Sequence, residues 1–125
     1  MKYPLYSICV LFPLLLMRYG NCGQDRTSMK GDKIIDSTFQ SLFLVIDDGL
    51  KDSSINKMSD KKFNSAVDFL EEISGIPSRR DGTFIGWIYT NHTFLIEDFE
   101  KWKIWYNNNK EKLKWDNNKK KIYLQ

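Results

Sequence analysis

Three kinds of side chain in this sequence have types and spacings that could do chemistry: clustered carboxylates, a single histidine and a group of tryptophans. The acids occur as Asp47-Asp48, Glu71-Glu72 and Glu97-Asp98-Glu100. A carboxylate pair about 5–9 Å apart across a cleft can hydrolyse a glycoside. Neighbours in sequence point to different faces of a helix, however, and a tuned carboxyl needs a dry cleft. His92 could be a general base, as histidine often is, but no Ser or Cys is placed as its nucleophile. Asn91-His92-Thr93 also spells a glycosylation acceptor, although Thr93 reads more simply as the N-cap of a helix. No catalytic residue is nominated, and the chain is not expected to be an enzyme. One His and two Cys cannot supply the usual zinc ligands. No Gly-rich loop precedes a helix to cradle phosphate. Neither a metal nor another cofactor is expected.

The aromatic group is Trp87, Trp102, Trp105, Tyr106 and Trp115. Flat amphipathic rings can form a platform for a sugar or a peptide. The same rings can fill the core of a small domain. Trp102 and Tyr106 stand at i, i+4 and read as core. Trp87 and Trp105 are the two expected at the surface, as a ligand or partner contact.

The remaining reactive residue is Cys22, and its setting is a targeting segment. Residues 1–21 open with Met-Lys, run apolar from Tyr3 to Met17, and end Arg18-Tyr-Gly-Asn. A basic start and an apolar run of about 15 residues fit a secretory signal peptide and fall short of the roughly 20 residues of a membrane span. Cys22, directly after it, resembles the lipidated cysteine of bacterial lipoproteins. In that family the peptide is cut before the Cys and the thiol takes a diacylglycerol. Asn21 and Tyr19 depart from the small residue and the Leu usual at those positions.

Charge is distributed unevenly. Residues 23–100 carry 9 basic and 14 acidic groups, whereas 101–125 carry eight lysines against Glu111 and Asp116. The basic tail could meet anionic headgroups or be a solvated hairpin whose lysines discourage edge pairing; the solvated reading is preferred. Export disfavours a nucleic-acid partner.

These side chains need a scaffold. Residues 22–35 lack apolar periodicity and read as a flexible tether. Phe39, Leu42, Phe43, Ile46 and Leu50 share one helical face, predicting a helix over 37–48 that stops at Gly49. Residues 51–58 form a polar connection. Phe63, Ala66, Val67, Leu70 and Ile73 predict a second helix over 60–74, with Ser59 as N-cap, Gly75 as left-handed C-cap and Pro77 beyond. Thr83–Tyr89 reads as a strand after an Asp81-Gly82 turn. Leu95, Phe99, Trp102 and Tyr106 predict a third helix over 94–107, ending at the Asn107–Asn109 run. Residues 113–124 read as a hairpin around Asp116–Lys119.

The string Trp102-x-x-Trp105-Tyr106-x-x-Asn109-Lys110-x-x-Leu113-x-Trp115-Asp116 resembles a group of small predicted bacterial lipoproteins of the Bacteroidota type, of unassigned function. That resemblance covers about residues 59–125 and implies an exported helical domain with a Trp-rich C-terminal helix. The expected architecture is mainly α: a single domain over 36–125, with three helices and a small antiparallel β element. The expected core is Phe39, Leu42, Phe43, Ile46, Phe63, Val67, Leu70, Phe99, Trp102 and Tyr106. The expected function is a non-catalytic binding module of the bacterial cell envelope. It would be held to the membrane through Cys22, facing the periplasm or exterior, with an envelope protein or a glycan as partner. The alternative is a toxin-neutralising or enzyme-inhibiting lipoprotein; a cell-wall hydrolase is least favoured.

Overall fold

A computed structural model describes residues 25–52 and 60–125. The signal segment, Cys22, Ser59 and most of the 51–58 connection lie outside the described residues. Helix α1 spans Asp25–Lys51, α2 Lys61–Ser74 and α3 His92–Asn109. Strands β1 (Asp81–Thr83) and β2 (Gly86–Ile88) form one antiparallel hairpin. A 3-10 turn at Lys110–Lys112 leads into a second, β3 (Leu113–Asp116) and β4 (Lys121–Leu124). The fold is the expected mainly α three-helix domain with a small β element.

Helix α2 follows its local sequence closely. Its apolar stripe buries Phe63, Ala66, Val67 and Leu70. Gly75 sits at φ 70° and closes the helix with a backbone bond to the Glu71 carbonyl, a conformation that costs a side chain dearly and glycine little. Asp60 is the N-cap, accepting from the Lys62 amide, where Ser59 was expected to cap.

Helix α1 departs most from expectation. Residues 25–35, expected as tether, are helical. The cause is tertiary: Ile35 is 3% exposed, and Gly31 lies against the Trp115 side chain of the second hairpin. Packing from the far end of the chain overrides weak local periodicity. At its other end α1 runs through Gly49 to Lys51. Gly49 is not a stop but a close-approach position, since a Cβ there would come within 2.5 Å of the Phe63 ring. Gly49→Ala gains about 1 kcal/mol of helix propensity but displaces a buried ring, at about 1–3 kcal/mol. The expected net effect is a loss of up to about 2 kcal/mol, centred near 1 kcal/mol and read as a melting temperature lowered by roughly 4–8 °C. Phe63→Leu in the same chain should recover part of it.

Helices α2 and α3 both run antiparallel to α1. Phe63 meets Gly49 and Phe69 meets Phe39; Phe99 meets Phe43 and Tyr106 stacks on Phe39 at 4.2 Å. The 75–91 segment therefore returns the chain along the bundle between two parallel helices. The core is Ile35, Phe39, Ile46, Phe63, Ala66, Val67, Leu70, Tyr89, Leu95, Phe99, Trp102, Leu113 and Ile122. Leu42, Phe43 and Tyr106, expected inside, are partly buried and pack on it. Ile35, Tyr89, Leu95, Leu113 and Ile122 complete it from segments read as tether, strand end, helix and hairpin.

The two hairpins lie at opposite ends of the bundle. Trp115 of β3 is beside Gly31, whereas Tyr89, just after β2, contacts Phe63 beside Gly49. Eighteen residues of one helix separate the two positions, or about 27 Å.

Candidate interaction surface

The strap that leaves α2 carries two adjacent arginines, and each is drawn to a different helix. Arg80 turns back on α2. Its guanidinium donates to Asn64 Oδ1 at 2.8 Å, Asp68 Oδ1 at 2.7 Å and Glu71 Oε2 at 3.1 Å, and its Nε to Ser78 Oγ at 2.9 Å. Its side chain is 5% exposed. The other Glu71 oxygen accepts from the Ser78 amide.

Arg79 turns to α3. Its Nε meets Asp98 Oδ1 at 2.9 Å, its backbone amide donates to Asp98 Oδ2 at 2.8 Å, and Nη2 reaches Glu97 at 2.7 Å. The guanidinium also lies 4.3 Å from the Phe94 ring centre, a cation–π contact. Tyr89 donates its hydroxyl to Asp98 Oδ2 at 3.0 Å. Burial, then the neighbouring Asp98 charge, pushes the Tyr89 pKa up. Asp98 itself is 1% exposed and takes three bonds, so its charge is compensated inside the protein.

This double clamp fixes both ends of the first hairpin. Its register pairs Asp81 with Ile88, Gly82 with Trp87 and Thr83 with Gly86. Thr83 Oγ1 donates to the Gly86 carbonyl at 2.8 Å, and Thr90 donates to Asp81. The expected single strand over Thr83–Tyr89 is thus two short strands. The turn falls at Phe84-Ile85, not at Asp81-Gly82, because Gly86 adopts φ 118°, which L side chains rarely reach.

The consequence is an apolar tip on a braced stem. Phe84 is fully exposed, Ile85 is 52% exposed and Trp87 59%. The Trp87 ring lies over Gly82, where a Cβ would be 3.5 Å from it.

Of the two tryptophans expected at the surface, Trp87 is there and Trp105 is half-buried, packed against the core. Trp105 lies 13 residues beyond His92 on α3, about 20 Å along its axis. The two do not form one patch, and neither lines the larger clefts. One cleft of about 660 Å³ lies between Ile73, Phe69, Trp115 and Tyr123. A groove of about 850 Å³ lies between α1 and α2 beside Leu42, Val45 and Phe69.

The acidic clusters serve structure. Asp47 pairs with Lys51 at 2.8 Å, Glu72 with Lys121 at 3.4 Å, and Glu100 with Lys103. Glu71, Glu97 and Asp98 belong to the arginine clamp. Among the described residues no three His, Cys, Asp or Glu side chains gather as metal ligands would. His92 is exposed in the first turn of α3. Asn91, not Thr93, is the N-cap there, its side-chain oxygen accepting from the Thr93 amide at 3.0 Å. The sequence reading missed Phe84 and Ile85, and Asp98 as the buried centre of the clamp. Comparison with protein-family models, curated proteins and solved structures gives no match.

Proposed function

We propose that this chain is an exported, lipid-anchored protein of the bacterial cell envelope that works as a non-catalytic interaction module, with the β1–β2 hairpin as its contact. The observation that carries this reading is the exposed trio Phe84, Ile85 and Trp87 on a stem held by two ion pairs that each have one buried partner, Asp98 and Arg80. Contiguous exposed apolar side chains on a small domain mark contact sites. A braced stem loses little entropy when a partner docks, and Trp is prominent among residues that dominate binding energy. Among the described residues no helix is long and apolar enough to cross a membrane. The reading of attachment through a Cys22 lipid rests on the apolar run that ends just before that residue, and the partner it implies is an envelope protein or glycan.

The test uses the tagged chain recovered from envelope membranes, with a photo-crosslinking residue at position 85 in parent and variant alike. Phe84→Ser with Trp87→Ser should lower capture of the crosslinked partner by at least about 30-fold, given about 2 kcal/mol or more for a dominant contact residue. In parallel, Cys22→Ala should abolish acyl labelling and release the chain from membranes. Unchanged capture would sink the hairpin assignment; an unlabelled parent would sink the anchor. Stoichiometric capture of a soluble toxin or enzyme would favour the inhibitor reading.

A further inference from the structure

The second hairpin is unlike the first. It caps the end of the bundle where α1 begins and where α2 and α3 finish: Trp115 is against Gly31, and Lys121 pairs with Glu72 at the close of α2. From Lys110 to Lys121 it carries six lysines against Glu111 and Asp116. Strand alternation puts Leu113, Trp115 and Ile122 toward the core and Lys114, Asp116, Lys121 and Tyr123 on the outer face. Lys119 and Lys120 stand in the turn between.

Among the described residues four acids face this hairpin from its surroundings: Glu72 pairs with Lys121, and Asp32, Asp36 and Glu111 line one cleft with Lys114 and Lys110, which leaves Lys119 and Lys120 of the turn outside that pair and that cleft. Asp116 Oδ1 accepts from the Lys119 amide and then the Asn118 amide, which hold its carboxyl below the usual carboxylate range. Asp36 accepts from the Tyr106 hydroxyl at 2.6 Å. Tyr123, directly opposite Lys114 on the outer face, is 44% exposed. A tyrosine among lysines is the composition that settles at a membrane–water interface.

Cys22 precedes Asp25 by three residues, which reach at most about 10 Å. Gly31 stands six residues into α1, about 9 Å further on. An anchor at Cys22 therefore holds this end of the bundle, and not the Phe84 end, close to the bilayer.

We infer that the outer face of the β3–β4 hairpin, with Lys114, Lys119, Lys120, Lys121 and Tyr123, is a second membrane contact that binds anionic phospholipid headgroups beside the lipid anchor. The inference rests on the anchor reading above. One acyl signal gives marginal attachment, and a polybasic patch is the kind of second signal that makes it stable. The body would then stand with its apolar hairpin about 27 Å away along α1, pointing from the membrane toward a partner.

The test offers the full detergent-purified chain a mixture of two distinguishable vesicle populations. One is phosphatidylcholine; the other is three parts phosphatidylcholine to one part phosphatidylglycerol. The parent should collect on the anionic vesicles, and high salt should erase the preference. Lys119→Gln, Lys120→Gln and Lys121→Gln together should lower the preference by about 100-fold, near fivefold for each lysine. The matching arginine variants should retain it, and circular dichroism should show all chains equally folded. Cys22→Ala should lower binding to both populations without changing the ratio, so that failure of the anchor and failure of the headgroup contact read out separately. A parent that divides evenly between the vesicles, or a preference indifferent to the glutamines, overturns the proposal. So does self-association lost with the lysines in place of vesicle binding, which would assign the face to a second copy of the chain.

Discussion

Asp98→Ala is expected to cost about 2–5 kcal/mol, because two donors inside the protein, the Tyr89 hydroxyl and the Arg79 amide, lose their acceptor at about 1–3 kcal/mol each. The stability of a body this size is on the order of 5–10 kcal/mol, so the variant should lose a large share of it. The reason lies in what stays behind. Asp98 satisfies the Arg79 amide, the Arg79 Nε and the Tyr89 hydroxyl at once. Alanine leaves the buried hydroxyl and the strap amide without that acceptor. Asp98→Asn should be milder, because one oxygen still accepts, yet its amide group meets the Arg79 donor and neutralises the pair. Urea denaturation followed by tryptophan fluorescence gives both values. A loss under about 1 kcal/mol for the alanine variant, below the cost of a single unmet buried donor, would refute the clamp. Because the same network braces the first hairpin, Asp98→Asn should also weaken partner capture more than its stability loss alone accounts for.

Trp102→Ala should be equally severe, about 3–5 kcal/mol, by a different route. Trp102 is fully buried at the centre of α3, and its indole N–H donates to the Ile76 carbonyl at 3.2 Å. The substitution opens a cavity under the strap and strands that carbonyl. Trp102→Phe keeps most of the apolar volume and isolates the hydrogen bond, so it should cost about 1–2 kcal/mol. Asp98 and Trp102 stand one turn apart and hold the same strap from below. The double variant should therefore lose less than the sum of the two. A two-state fit of all four chains by one denaturation protocol checks both the magnitudes and the coupling.

The helices were legible where the information was local. In α2 the apolar stripe, Gly75 and Pro77 all state one message, and the helix begins and ends within a residue of expectation. In α1 the message is distant. Nothing within residues 25–35 announces a helix, because what holds them is Trp115 on the second hairpin. The Thr83–Tyr89 run shows how one reading hides another. Aromatic and β-branched residues rightly signal extended backbone, but only the φ of Gly86 reveals that the chain reverses. Trp87 at the surface was legible, and its companions Phe84 and Ile85 were concealed by that error.

Asp98 could have been found. Leu95, Asp98, Phe99 and Trp102 share the spacing of a buried stripe, and an acid on such a stripe requires a cation. Arg79-Arg80 was the available one, but their meeting is nineteen residues apart in sequence and belongs to topology. Trp105 failed for a related reason. A position at the border of a helical stripe is decided by what the neighbouring elements happen to cover.

The capping of the bundle by the β3–β4 hairpin also governs when this chain can fold. Leu113 and Ile122 fill core positions next to residues supplied by α1, and Tyr106 reaches back 70 positions to Asp36. Closing loops that long costs entropy before any contact repays it, and folding slows as the separation of contacting residues grows. A chain synthesised from its N-terminus thus has an incomplete core until Ile122 has left the ribosome.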